Sequence, residues 1–323
     1  MAGANQDKTS ISLSQSQTRN ITSGFSQKLL YQLRKQSNYL FVLPMLIFML
    51  LTMGYPIYVN VDMSLQDLNI RTFRAGNAPY IGLDNYTKLI DDPSFWKSAR
   101  LSFSFTSISL TFQFLIGFSL ALFFNRPFPG NGLLRALLLL SWLLPAVVAG
   151  TLFRWIADGD YGVFNLFLKS IGLDSSTDYW LLNPDTALIG TIIANVWVGA
   201  PFHMMLLLAG LQNISPTLYE AASIDGADTP QRFVNITLPL MRPVILGVLL
   251  LGFIYTFKVF ELIFVMTGGG PVDATTVLPI QIYRLTFSFF RFGEGAAAAI
   301  LLLIGLLFLA VGYSQLIRTE ETA

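Results

Sequence analysis

Six long apolar stretches decide most of what this chain can become. They cover residues 39–61, 101–124, 133–156, 188–211, 243–266 and 296–317. A helix needs about 20 predominantly apolar residues to cross the hydrocarbon layer of a bilayer, and each stretch meets that length. Only a helix satisfies its backbone hydrogen bonds one crossing at a time, and these runs are too long for barrel strands. The expected fold class is therefore an all-α polytopic membrane protein with six transmembrane helices. Composition agrees: 53% of residues are hydrophobic and 12% are charged, against about 25% charged in ordinary soluble domains. Lys and Arg (20) nearly cancel Asp and Glu (19), so no net field points to nucleic acid or to an acidic substrate. Cysteine is absent, which excludes disulfides, thiolate metal sites and a Cys nucleophile.

Residues 1–38 are rich in Ser, Gln, Thr and Asn and carry Lys8, Arg19, Lys28, Arg34 and Lys35 against the single acid Asp7. That composition predicts a disordered tail, and no apolar stretch in it resembles a signal-peptide core. The expected organisation is this tail, a membrane domain over 39–317 with a polar loop at 212–242, and a short tail at 318–323. Basic residues near span ends favour the cytoplasm. The N-terminal tail is basic and the short second loop carries Arg126 and Arg135, whereas the third loop holds Asp158, Asp160, Asp174, Asp178 and Asp185 around Lys169. Both termini and the even loops are thus expected inside. Trp180-Leu181-Leu182 in the third loop reads as a segment dipping into the interface. After Thr267-Gly268-Gly269-Gly270-Pro271, residues 277–290 read as an interfacial or re-entrant helix.

The fourth loop is the unusual one. Ser215-Pro216 and Thr229-Pro230 each read as an N-cap followed by proline at the first helical position, and Gly226 lies between them, where a left-handed residue ends a helix. Leu238-Pro239 is expected to close the second helix. Two short helices around a tight turn follow. Leu218, Ala221 and Ala222 share one face, where small residues let another backbone come close, and Glu220 and Asp225 are available for ionic contact. Docking of a partner and plain packing on its own bundle are both consistent with that pattern.

The order Glu220-Ala221-Ala222, three residues, Gly226, nine residues, Ile236, one residue, Leu238-Pro239 resembles the signature of binding-protein-dependent ABC transporter permeases. Further matches point to the carbohydrate-uptake branch, near the maltose and glycerol-phosphate type first permease subunits. They are Gly54-Tyr55-Pro56, Ile81-Gly82-Leu83-Asp84-Asn85-Tyr86 with Phe95-Trp96, Leu144-Pro145-Ala146-Val147-Val148-Ala149-Gly150 and Asp160-Tyr161-Gly162. Asn195-Val196-Trp197, Pro201-Phe202, Ala209-Gly210-Leu211-Gln212 and Thr267-Gly268-Gly269-Gly270-Pro271 complete the set. The resemblance covers residues 39–317. It implies a type I ABC importer permease fold, with the fourth loop docking as a coupling helix into a groove on a cytoplasmic ATPase dimer through Glu220, Ala221, Ala222, Asp225 and Gly226. It implies as partners that ATPase, a second homologous permease and an extracytoplasmic solute-binding protein, all at a bacterial inner membrane. No Gly-x4-Gly-Lys-Ser/Thr phosphate loop occurs, so the chain is expected to be no enzyme and to hold no cofactor, with ATP and magnesium bound by the partner ATPase.

Charged residues inside a span are functional candidates, because each costs about 2.5–3.5 kcal/mol at a helix centre. Lys258 and Glu261, three apart in the fifth stretch, are expected on one helix face with Tyr255 nearby. Aromatic faces beside hydrogen-bonding groups suit a sugar. Mutual neutralisation, or a bridge to the partner permease, explains the pair equally. An acidic residue at Glu261 resembles the family pattern; the resemblance does not extend to Lys258. His203, the single histidine, follows Pro201 and reads as a substrate contact, a proton relay or a buried neutral ring bonded to a carbonyl that Pro201 frees. One histidine without cysteine offers no metal ligand set. Asn195 and Trp197 suit either helix packing or cavity lining. An importer permease for a sugar, glycoside or related polyol is the leading reading. An ion-coupled carrier using Lys258, Glu261 and His203 as a relay is the alternative, and a membrane hydrolase lacks a catalytic constellation.

Overall fold

The computed structural model describes residues 42–172 and 179–321; the basic tail 1–38 and Asp174 and Asp178 lie outside the described residues. Every named element among them is helical, with one β-bridge joining Gln66 to Tyr80. In chain order the helices are α1 (Val42–Ser64), α2 (Ile70–Ala75), α3 (Asp84–Asp91), α4 (Pro93–Phe124), α5 (Asn131–Leu143), α6 (Ala146–Ile156) and α7 (Val163–Ser170). Then come α8 (Pro184–Gln212), α9 (Pro216–Ile224), α10 (Thr229–Phe257), α11 (Glu261–Thr267), α12 (Leu278–Tyr283) and α13 (Phe292–Glu321). Five of these are long and apolar enough to cross a membrane: α1, α4, α8, α10 and the Phe292–Tyr313 part of α13. The sixth expected span is a broken pair, α5 and α6, bent by 95°. The break falls at Leu144-Pro145, where Leu144 is extended (ψ 137°). Proline bars its predecessor from the helical region and lacks the N–H that would continue the ladder.

The chain divides into two units between Asn60 and Val61. The described part of the first unit is the opening of α1, which includes a π-helical turn over Leu50–Gly54 just before Pro56. The second unit holds everything that follows.

Within that second unit α4 and α8 form the central pair. Both start at a capped proline: Asp92 Oδ1 takes the Ser94 N–H at 2.8 Å before Pro93, and Asn183 Oδ1 takes the Asp185 N–H at 3.0 Å before Pro184. Their contact is a seam of small and polar residues on α4. Ser98, Ser102, Thr106, Ser109, Gln113, Gly117 and Ala121 recur every three or four positions and are all buried. Small residues let helix backbones approach in a bilayer, where apolar packing alone discriminates little. A Cβ on Gly117 would lie 2.7 Å from His203 Cβ and 2.9 Å from the Met204 nitrogen of α8. Helix α10 joins the pair, burying Met241 and Val248 against Met204, Leu207, Leu208 and Leu211. Helix α11 packs on α6, where a Cβ on Gly150 would meet the Leu262 carbonyl at 3.1 Å.

Two loop expectations resolve differently. Leu181 is buried with Ala149, Ala194, Leu262 and Met266, while Leu182 stays exposed, so one leucine of Trp180-Leu181-Leu182 is a plug in the bundle. The segment after Pro271 does form a helix, α12, but Ile280 is fully buried against Phe105 and Ile263, so it is a packed element of the bundle. The Leu278 N–H is donated to Ser102 Oγ at 2.7 Å. The match Ile81 to Tyr86 is a structural fastening: the buried Asn85 Nδ2 donates to the carbonyls of Ser64 and Gln66, each at 2.9 Å.

Candidate functional site

Two sites stand out, one at an end of the bundle and one inside it. The end site is α9. Its last turn closes as a Schellman motif: the Ala227 N–H bonds to the Ala222 carbonyl at 2.8 Å and the Gly226 N–H to the Ser223 carbonyl at 3.2 Å, with Gly226 at φ +83°. That left-handed residue is the one expected from sequence. Helix α9 buries none of its residues. Glu220, Ala221, Asp225 and Gly226 are exposed, Ala222 is half-buried, and Ile224 projects at 87% exposure. The helix is nonetheless fixed, because Tyr219 Oη bonds Thr237 Oγ1 at 3.0 Å and an Arg232 guanidinium N–H is donated to Ser223 Oγ at 2.7 Å. An exposed helix held rigidly to the base of a span can transmit a push.

Three details of this loop correct the sequence reading. The cap of the second helix is Asp228, in a full capping box with Gln231, so Thr229 is its first helical residue. The carboxylate outcompetes the neighbouring hydroxyl for the free N–H groups. Ser215 does precede Pro216 at the start of α9, but its hydroxyl bonds Thr217 Oγ1 at 2.8 Å and caps no N–H. Leu238-Pro239 closes nothing: α10 runs through it to Phe257. A π-helical turn over Phe233–Thr237 precedes Pro239, and the wider turn absorbs the hydrogen bond and the space that proline denies an α-helix.

The interior site is a cavity of about 200 Å³ between α4, α5, α8 and α10, lined by Gln113, Trp142, Asn195, Phe202, His203 and Tyr255 among others. Three candidates from the sequence, Asn195, His203 and Tyr255, meet there. Gln113 Nε2 donates to the Asn195 carbonyl at 2.9 Å, and Gln113 Oε1 accepts from Thr256 Oγ1 at 3.4 Å. His203 Nδ1 lies 3.0 Å from the Gly199 carbonyl; a carbonyl only accepts, so Nδ1 carries the proton and Nε2 a lone pair. Among the described residues His203 Nε2 and Asn195 Nδ2 are buried without a partner. Both atoms are shielded, and Nε2 faces Gly252 of α10, so the cavity presents chiefly the aromatic walls of Trp142, Phe202 and Tyr255, which suit the apolar face of a ring. The carbonyl that Pro201 frees is that of Trp197, which accepts from Ser141 Oγ at 3.4 Å; His203 uses a different one.

The other interior candidates are elsewhere. Trp197 packs edge-on against Phe153, ring centroids 5.4 Å apart, and does not line the cavity. Lys258 and Glu261 do not share a helix face, because α10 ends at Phe257 and Glu261 opens α11. The run Tyr255-Thr256-Phe257-Lys258-Val259-Phe260 is β-branched and aromatic, of low helix propensity, and Phe260 takes φ −120°. No ion pair joins Lys258 to Glu261; both are exposed, and the Lys258 ammonium sits 4.9 Å from the Tyr255 ring centroid. Gln113 and Trp142 carry no sequence expectation, and Phe202 enters only through the Pro201-Phe202 match, not as a site residue. The signal for Gln113 was available, a lone amide in a small-residue seam; nothing local marks Trp142 and Phe202 as cavity walls.

Residues 113–318 match the family described as the binding-protein-dependent transport system inner membrane component. The chain belongs to that family. This permease is 37% identical over 284 residues to the trehalose/maltose transport system permease protein MalF of Thermococcus litoralis, covering 87% of this chain and 93% of that protein. It is 34% identical to the sulfoquinovosyl glycerol transport system permease protein SmoG of Agrobacterium fabrum, over 87% of this chain and 90% of that one. A solved chain of a bacterial ABC transporter that imports the acidic polysaccharide alginate superposes with a TM-score of 0.75 at 26% identity, over 88% of the permease and 96% of that chain. A chain of the MetNI methionine ABC transporter shares the fold, with a TM-score of 0.52 at 16% identity over 71% of the permease and 98% of that chain.

At the end away from α9 the permease has a cleft of about 580 Å³, lined by Arg154, Asp158, Asp160 and Tyr179 together with residues 264–268, Gly270 and Pro271. The Gly-rich loop at its rim is tightly wired: Thr276 Oγ1 donates to the Gly269 carbonyl and Thr275 Oγ1 to the Gly270 carbonyl, each at 2.8 Å. Arg284 pairs with Asp273 and donates to the Gly268 carbonyl at 3.1 Å. The guanidinium hydrogen bond holds the Asp273 carboxyl below its ordinary value, against an opposing effect of burial.

Proposed function

We propose that this permease is the membrane subunit of an ATP-driven importer for a sugar, glycoside or related polyol, and that it is driven through α9. The observation that carries the coupling role is α9 itself, a helix with no buried residue, closed by Gly226 and tied to α10 by Tyr219 and Arg232. In this reading Glu220, Ala221, Ala222, Asp225 and Gly226 meet a groove on a cytoplasmic ATPase dimer, which holds the ATP and magnesium. The α9 end and both termini then face the cytoplasm, and the 580 Å³ cleft opens to the outside, where a solute-binding protein delivers the cargo. The alginate transporter has been solved in complex with a pentasaccharide-bound periplasmic protein, which supports that partner. A second, homologous permease completes the path. Asn195, His203 and Tyr255 are the groups we assign to the cargo. The names of the relatives support a carbohydrate: trehalose or maltose in one, sulfoquinovosyl glycerol in another.

An ion-coupled carrier would use Lys258, Glu261 and His203 as one relay. Only His203 lines the interior cavity, which disfavours it. The deciding experiment is uptake in cells carrying Glu220→Ala, with membrane insertion checked by blotting of membrane fractions. Uptake is expected to fall at least tenfold in order of magnitude, because a buried charged contact to a partner is typically worth about 2–5 kcal/mol. Unchanged uptake in Glu220→Ala and in Gly226→Val together would remove α9 from the mechanism.

A further inference from the structure

Beside α9 lies a second cleft of about 560 Å³, lined by Leu122, Asn125 and Arg126 from the end of α4, Leu211 from the end of α8, Tyr219 of α9, and Arg232 and Phe233 of α10. Among the described residues its two cations have no anionic partner. Arg126 is exposed, and its guanidinium makes no hydrogen bond or ion pair among the described residues. Its backbone is nevertheless held, because Asn131 Nδ2 donates to the carbonyls of Phe124 at 3.0 Å and Arg126 at 2.8 Å. Among the described residues Arg232 bonds neutral oxygens: Ser223 Oγ, Thr229 Oγ1 and the Asp228 carbonyl. The nearby Asp228 carboxylate is occupied in capping α10. Two guanidinium groups therefore face one cleft that no described carboxylate lines.

The rest of the lining is mainly apolar, through Leu122, Leu211, Pro230 and Phe233, with Asn125, Thr229 and Thr237 as polar members. Leu122 and Leu211 sit within two residues of the ends of their spans and Phe233 lies in the second turn of the next, so the cleft lies where the bundle leaves the hydrocarbon layer. A ligand that fits both halves is amphipathic, with an anionic head and an alkyl tail. We propose that the cleft binds an anionic phospholipid of the inner leaflet, its phosphate between Arg126 and Arg232 and its acyl chain along Leu122, Leu211 and Phe233. Basic pockets between spans on the cytoplasmic side are sites for such headgroups. The proposal rests on the reading that the α9 end faces the cytoplasm. Because Arg232 also holds Ser223 of α9, a phosphate on Arg232 couples lipid composition to the firmness of the transmission helix.

The test is native mass spectrometry of the full co-purified complex, exchanged into mixed micelles of phosphatidylglycerol and phosphatidylcholine. The wild type is expected to retain phosphatidylglycerol preferentially, and Arg126→Gln to lose about fivefold of that preference, from roughly one basic side chain's attraction to an anionic surface. Arg126→Lys, which keeps the charge, should retain most of it, and monodispersity of all three on gel filtration guards against misfolding. Equal retention in wild type and Arg126→Gln overturns the proposal. So does displacement of the lipid by millimolar inorganic phosphate, which would make this a free-anion site. Retention that appears only after the ATPase is stripped away also overturns it, since the cleft would then belong to an acidic group of that partner. None of these readouts uses transport, so failure of the importer reading leaves a separate signature.

Discussion

Gly252→Ala is the sharpest test of how the interior site is built. A Cβ at Gly252 of α10 would lie 2.4 Å from His203 Nε2, 3.0 Å from His203 Cε1 and 2.7 Å from Leu110 Cδ1. Leu110 presents the far end of a flexible side chain and can give way. The imidazole cannot do so cheaply: Nδ1–H is bonded to the Gly199 carbonyl at 3.0 Å, and behind the ring Gly117 already approaches His203 Cβ so closely that its own Cβ would stand at 2.7 Å. Overpacking a tight core costs about 1–3 kcal/mol, and swinging the ring away forfeits a hydrogen bond worth about 1 kcal/mol. The substitution should therefore cost about 2–4 kcal/mol, read by equilibrium unfolding of the purified complex in mixed SDS micelles. In a His203→Ala background the obstructing ring is gone, so the added methyl should cost much less, giving a coupling energy above about 1 kcal/mol in the double-mutant cycle. An additive cycle, or Gly252→Ala as stable as the wild type, would refute this account of three helices packed through glycine around one imidazole.

Gly226 has φ +83° and open space around its Cα, so the penalty for a side chain is conformational. Gly226→Val should cost about 1–2 kcal/mol locally and depress substrate-stimulated ATP hydrolysis, whereas Gly226→Asn, which tolerates the left-handed region, should retain most of it. Gln113→Leu removes the donor to the Asn195 carbonyl and the acceptor of Thr256; leaving that hydroxyl unpaired should destabilise the complex by about 1–3 kcal/mol in the same SDS titration. The Asp273 carboxyl is held low first by its hydrogen bond from Arg284 and then by that cation's charge. A depressed folded value means the stabilisation is full above the unfolded value and is lost as pH falls through the folded one. Hydrogen exchange across residues 267–276 should thus be insensitive to the pair's protonation from about pH 8 to 5 and show loosening only below about pH 4. Asp273→Asn should abolish that step, a modest effect because the carboxylate is 56% exposed and surface pairs contribute about 0–1 kcal/mol.

Much of the end site was legible because its determinants are local. Proline at the first turn of α9 and a left-handed glycine after its last turn act within a few residues, and the structure places both where those rules do. Where two local signals competed, one had to lose: Asp228 rather than Thr229 caps α10, and the π turn lets the helix run through Pro239. The pairing of Lys258 with Glu261 failed for a related reason. It assumed a continuous helix, and no glycine or proline warned that α10 stops at Phe257.

By itself the sequence determined the length and number of the apolar stretches, the short helix and turn between two of them and the family resemblance. These follow from hydropathy summed over some 20 residues and from caps that act over four. Tertiary structure alone decided that residues 131–156 bend by 95° instead of crossing straight, that Leu181 plugs the bundle while Leu182 does not, and that Asn195, His203 and Tyr255 share a cavity with Gln113, Trp142 and Phe202. It also brought Arg126 and Arg232, 106 positions apart in the numbering, to one cleft. Each of these depends on which faces of separate helices meet. In a chain apolar on nearly every face, hydrophobicity does not choose those faces; the small residues at Gly117, Gly199 and Gly252 do, by setting how closely the backbones can approach.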